Sequence, residues 1–105
     1  ISVSGTTATE DVANAHPKNT DQQARDAISR SLEAICELGG DVEDVIRTRL
    51  YLSPEANWRA AAEVHAELLG VVAPANTTLY VHRLIGPNFL VEVEVDAIIK
   101  PRGLR

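Results

Sequence analysis

The 105-residue chain has one cysteine, no methionine, and ten lysines and arginines against fifteen aspartates and glutamates. Each shortage excludes something. Cys36 alone can close no internal disulfide and supplies no cysteine zinc site, so a reducing, cytoplasmic setting is expected. A net charge of −5 has the wrong sign for binding a phosphate backbone, which rests on clustered basic residues, so nucleic acid is not an expected partner. No stretch approaches the ~20 apolar residues of a membrane span, and no basic segment leads into an apolar one at the start; neither membrane insertion nor export is expected. The GxGxxG, GK[ST] phosphate-loop, GxSxG and HExxH signatures are missing as well. His16, His65 and His82 are far apart, with no acidic or thiol ligand spacing between them, so no metal or other cofactor is expected.

What is present fits a globular protein. A hydrophobic share of 45% and a charged share of 24% are ordinary for one, and the length suits a single domain over residues 1–105. The chain opens at Ile1 rather than Met, so residues before it are expected.

Ile1 to Thr6 alternates apolar and polar residues and reads as a strand, followed by a surface loop through Ala15 to Asn19. Thr20 with Gln23 has capping-box form, and Ala24, Ala27, Ile28, Leu32, Ile35 and Leu38 then draw one helical stripe that ends at Gly39-Gly40. Val45 to Leu52 predicts a strand with Ile46, Thr48, Leu50 and Leu52 on one face and Val45, Arg47, Arg49 and Tyr51 on the other. Ser53-Pro54-Glu55 offers a cap, a first-turn proline and an acid, predicting a second helix from there to Leu69, stopped at Gly70. Thr77 to Leu84 and Leu90 to Ile99 read as two strands of a hairpin turning at Gly86-Pro87-Asn88. The fold class is α+β in the order β-α-β-α-β-β, with both helices on one side of the sheet.

The opposite face is expected to carry Arg47, Arg49, Tyr51, Thr78, Tyr80, His82, Glu92, Glu94 and Asp96. Two readings fit that mixture: a solvated face, or an oligomer interface with polar clefts. Cys36 reads as a structural residue in the first helix, Trp58 as a packing residue, and His65 as a helix-surface residue. Glu92 is the carboxylate of most interest, set between valines where burial would suit it to proton transfer. The bland alternative is an ion pair with Arg47 or Arg49 across the sheet.

Four segments together resemble the reactive intermediate deaminase (Rid) family, also called YjgF-like. They are Val3-Ser4-Gly5, Asp44 through Leu52, Pro74-Ala75-Asn76-Thr77-Thr78, and Leu90 through Ala97, whose VEVE-type strand follows a PARS-type segment. The resemblance spans essentially the whole chain. It implies a chorismate-mutase-like fold with an additional N-terminal strand, a homotrimer whose sheets form a central barrel, and small-molecule sites in clefts between subunits. In deaminating members an arginine of the PARS segment grips the substrate carboxylate, and a glutamate of the last strand positions the water that hydrolyses an imine or enamine. The matching glutamate here is Glu92, but the arginine position is Asn76, and the position often held by cysteine is Thr78. Ser4 and Gly5 match the loop lining the cleft.

An amide in place of a guanidinium removes bidentate, charge-assisted binding, so classical 2-imino acid deamination is not carried over by the resemblance. Arg47 and Arg49 are candidates to replace the lost cation, or to pair with carboxylates at the interface. The expected function is therefore either an imine- or enamine-hydrolysing enzyme or a non-catalytic, metabolite-binding or structural trimer. Ribonuclease activity, sometimes attached to this family, ranks last, since the chain has no basic run and no aromatic stacking strip.

Overall fold

A computed structural model describes residues 1–101. Four strands, β1 (Ser2–Thr6), β2 (Val45–Leu52), β3 (Ala75–Tyr80) and β4 (Val91–Ala97), alternate with helices α1 (Glu10–Ala15), α2 (Thr20–Glu37) and α3 (Trp58–Leu69). They form one mixed sheet in the order β1-β4-β2-β3. The last strand runs antiparallel between β1 and β2, while β3 lies parallel to β2 at the edge.

Ala24, Ala27, Ile28 and Ile35 of α2 and Ala61 and Val64 of α3 form one buried cluster with Leu50, Leu52, Val91, Val93 and Val95. Both helices therefore cover the same face of the sheet, as the amphipathic stripes predict. Each fully buried Val, Leu or Ile contributes about 1.5–3 kcal/mol through removal from water, so this layer dominates the stability of the chain. At the end of α2, Gly39 takes φ 94°, and the Gly39 and Gly40 amides bond back to the Cys36 and Ile35 carbonyls at 3.1 and 2.9 Å. The pair closes the helix as its sequence predicts.

Several local expectations fail for physical reasons. The stretch read as a loop contains α1, capped by Thr9; its one buried residue, Ala13, is too little apolar surface to give a periodic signal. Helix α2 is capped by Asn19, whose Oδ1 accepts from the Gln22 amide at 3.0 Å. Thr20 instead accepts from the Asn57 amide, and Gln23 is wholly buried.

Helix α3 starts at Trp58 under an Asn57 cap, and residues 53–56 form a turn closed by Ala56 N–H to Ser53 O at 3.0 Å. A register irregularity between Val45 and Arg47 turns Val45 into the core and leaves Ile46 47% exposed, which reverses their expected faces. The predicted hairpin is absent. Gly86 and Asn88 do take positive φ, but residues 81–90 form a long connection that carries the chain across β2, so β4 pairs with β1 and β2 rather than β3.

Candidate functional site

Alternation along β4 sends Val91, Val93, Val95 and Ala97 into the core and Glu92, Glu94 and Asp96 to the opposite face. Register places Glu92 beside Tyr51 and Glu94 beside Arg49. The charged and hydroxyl side chains around Glu92 on the sheet are engaged elsewhere. Tyr51 donates to Glu94 at 2.5 Å, Arg49 pairs with Asp96 at 3.3 Å, and Arg47 donates to Thr77 Oγ1 at 2.7 Å. The Tyr51 hydroxyl is held above its usual pKa, chiefly by that bond to Glu94.

Glu92 makes no hydrogen bond or ion pair with any described residue, so the cross-sheet pairing with Arg47 or Arg49 does not form within the chain. Its carboxylate packs against Gly5, where an added Cβ would lie 2.9 Å from Glu92 Cδ. Ser4 is exposed next to Gly5 on β1, its carbonyl accepting from Thr6 Oγ1 at 2.9 Å. A cavity of about 320 Å³ opens beside Glu92, bordered by Tyr51, Glu94, Val81, Arg83 and Leu84.

Asn76 and Thr78 lie elsewhere. The parallel register pairs Asn76 with Thr48, Thr78 with Leu50 and Tyr80 with Leu52, which puts all three β3 residues on the helix-covered face. The expectation that Thr78 and Tyr80 share a face with Glu92 is thus corrected. At the edge strand the inward face is only partly covered, so polar residues remain exposed there and give no burial signal. Thr78 Oγ1 donates to Asn76 Oδ1 at 2.8 Å, Asn76 Nδ2 donates to Thr48 Oγ1 at 3.0 Å, and Thr48 Oγ1 lies 2.7 Å from His65 Nε2. A cavity of about 410 Å³ borders Asn76 and Thr78, with Leu52, Trp58, Ala62 and Tyr80 among its walls.

Thr48 and His65 were not legible as site residues. Thr48 has the parity of a core position, and His65 belongs to α3, half-buried over the sheet rather than on a free helix surface. Burial alone lowers its pKa below the usual histidine value. Trp58 is 48% exposed at the cavity wall with the Arg59 guanidinium 4.7 Å from its ring centre, not packed in the core. Cys36 is exposed, not structural, and His82 lies in the connection beyond β3.

Glu92 with Gly5, and Asn76 with Thr78, are therefore two groups on opposite faces of one sheet. Arg47 and Arg49 share the face of Glu92, so within one chain neither guanidinium stands on the side of Asn76. A larger cavity, about 820 Å³, lies under the 83–90 connection near Lys18, Glu55 and Arg83; Ser53 Oγ is buried there without a partner among the described residues. Among the described residues no group of three or more His, Cys, Asp or Glu side chains could hold a metal, and no helix is long and apolar enough to cross a membrane.

Comparison with known proteins places this geometry. An uncharacterized protein of Streptomyces coelicolor is 40% identical over 76 residues, 72% of this chain; the match spans 57% of that relative's length. A crystal structure of a YjgF-family protein from Mycobacterium tuberculosis superposes with a TM-score of 0.81 at 36% identity, covering 93% of this chain and 77% of that one. A Rid-family protein of Yersinia pestis shares the fold at a TM-score of 0.76 and 24% identity, over 94% of this chain and 77% of its own. The family model described as endoribonuclease L-PSP matches residues 1–99, and the chain therefore belongs to this family, the YjgF/Rid family of its solved relatives.

Proposed function

We propose that this chain is a Rid-family small-molecule protein whose ligand sits in a cleft between copies of itself, with Glu92 positioning water to hydrolyse an imine, an enamine or a related metabolite. The observation that carries the reading is the carboxylate of Glu92, which bonds to no described residue and is held against Gly5, while the charges around it on the sheet are engaged and Arg83 borders its cavity. Supporting a shared cleft, Glu92 and Asn76 occupy opposite faces of the sheet, so a ligand touching both must lie between two molecules. A homotrimer in the cytoplasm is the assembly and setting this reading entails.

In the reaction, Glu92 takes a proton from water as the water oxygen bonds to the imine carbon, and returns that proton to the nitrogen to give a neutral carbinolamine. Glu92 then carries the hydroxyl proton to the same nitrogen as the C–N bond breaks, releasing ammonia, leaving a carbonyl and restoring the carboxylate. Asn76 and Thr78 hydrogen-bond the polar end of the substrate. Because Asn76 carries no charge, a 2-imino acid is bound poorly and an uncharged imine is preferred.

The test is ammonia release from freshly generated 2-iminopropionate and from an uncharged imine, with Glu92→Gln beside the native protein and the oligomeric state measured by light scattering. The expected result is turnover of the uncharged imine, lost in the variant with the trimer intact. Undiminished turnover in Glu92→Gln overturns the catalytic role. The absence of an arginine at Asn76 favours a second reading, a metabolite-binding or structural trimer, which predicts thermal stabilisation by a keto acid, amino acid or aldehyde without product. RNA cleavage fits poorly with three carboxylates on the Glu92 face and a net charge of −5.

A further inference from the structure

We infer that His65 and Thr48 are positioning residues for Asn76: through one hydrogen-bonded relay they fix which way its amide faces, so that its free edge takes an uncharged carboxamide-like group rather than a carboxylate. The inference rests on the reading above, in which Asn76 contacts the ligand.

The relay runs from helix α3 through β2 to the edge strand. Thr48 is fully buried at its centre, 2.7 Å from His65 Nε2 and 3.0 Å from Asn76 Nδ2, and Thr78 closes the outer end at 2.8 Å from Asn76 Oδ1. A threonine hydroxyl has a single proton to give. The buried Thr48 hydroxyl has no other acceptor among the described residues, so with Asn76 Nδ2 donating into Thr48 Oγ1 its proton goes to His65 Nε2, which is then unprotonated, with the ring proton on Nδ1. The reverse order is equally self-consistent: Nε2–H donates to Thr48, Thr48 donates to the amide oxygen, and the amide is turned over. The proton on His65 Nε2 thus selects between two orientations of Asn76. The structure holds the first, with Asn76 Nδ2 turned to Thr48 and Thr78 donating to Asn76 Oδ1; half-burial of the imidazole keeps the ring neutral, as both orders require.

In that orientation Asn76 keeps one N–H and one oxygen lone pair for the 410 Å³ cavity. The remaining wall, Leu52, Trp58, Ala62, Leu79 and Tyr80, brings no formal charge. A carboxylate placed there would meet one donor, one opposing lone pair and no counter-charge, whereas a carboxamide matches donor to acceptor at both positions.

Two measurements test this. The first needs no ligand: ¹⁵N NMR of the His65 ring. The native protein is expected to show the Nδ1–H tautomer. In Asn76→Asp, which can only accept, Thr48 must donate outward, and His65 should switch to carrying a proton on Nε2. An unchanged His65 ring in that variant, or Nε2–H in the native protein, overturns the relay.

The second is titration with pyruvamide and pyruvate, matched in shape and differing in charge. Native protein and Thr48→Ser should prefer pyruvamide at least tenfold, and Thr48→Val, which keeps the shape without the hydroxyl, should lose the preference while remaining folded. Equal or tighter binding of pyruvate, no binding of either probe, or a preference kept in Thr48→Val overturns the ligand class. Either failure is separable from that of the catalytic reading, which stands or falls on Glu92→Gln.

Discussion

The carboxylate of Glu92 occupies the space that a side chain on Gly5 would fill. The contact joins β1 to β4 on the face away from the helices, and it sets the direction of the carboxylate without a hydrogen bond. Gly5 is not in the left-handed region, so its role is the close approach rather than backbone freedom.

Gly5→Ala should therefore act on the site more than on the fold. The added methyl meets the end of a flexible side chain, which can rotate away, so the stability cost is expected to stay below about 1 kcal/mol. Turnover of an uncharged imine should fall to the level of Glu92→Gln. Full turnover in a folded Gly5→Ala protein would show that the carboxylate direction does not matter.

A different kind of constraint centres on Gln23. Its buried amide donates to the carbonyls of His16 at 3.0 Å and Asn88 at 2.7 Å and accepts from the Leu90 amide at 2.9 Å, clamping the 81–90 connection onto the start of α2. Gln23→Leu keeps the volume but orphans these backbone groups, one of them buried, at an expected cost of about 2–4 kcal/mol. Amide hydrogen exchange should rise at residues 88–90 before it rises in β4. A loss below 1 kcal/mol (about a fivefold change in the folded ratio) would contradict the clamp.

These two contacts mark where sequence reasoning reaches and where it stops. The alternation Val91 to Ala97 and the stripe Ala24 to Ile35 each report one local periodicity, and each face was assigned correctly from it. The local spacing of Gln23 satisfies a capping box, but its partners Asn88 and Leu90 are 65 and 67 residues away. Parity fixes faces only relative to a known neighbour, and a hairpin of β3 with β4 supplies the wrong neighbour for Thr78 and Tyr80. The relay of His65, Thr48 and Asn76 joins three elements, and its residues share no motif. Asn76 itself was legible through family resemblance alone.

Ser53 offers a prediction of the opposite sign. Its hydroxyl is buried in the turn after β2 and has no partner among the described residues, so it forgoes hydration without a bond in exchange. Ser53→Ala is expected to be neutral within about 0.5 kcal/mol or stabilising. A loss above 1.5 kcal/mol in chemical denaturation would reveal a bond made by this hydroxyl in the assembled protein.

His65 ties stability to pH with a definite sign. Its half-burial lowers the folded-state pKa below the unfolded value of about 6.5, so the unfolded chain binds the proton more readily. The contribution is therefore fully present above the unfolded pKa and is lost as pH falls toward the folded value. Thermal or urea unfolding of the native protein should accordingly show stability falling between pH 7.5 and 5. His65→Gln, which cannot titrate, should show a shallower fall over that window at the same protein concentration. Identical slopes would mean that the imidazole is as well solvated in the folded protein as in the unfolded chain, and that the bond to Thr48 does not distinguish its protonation states.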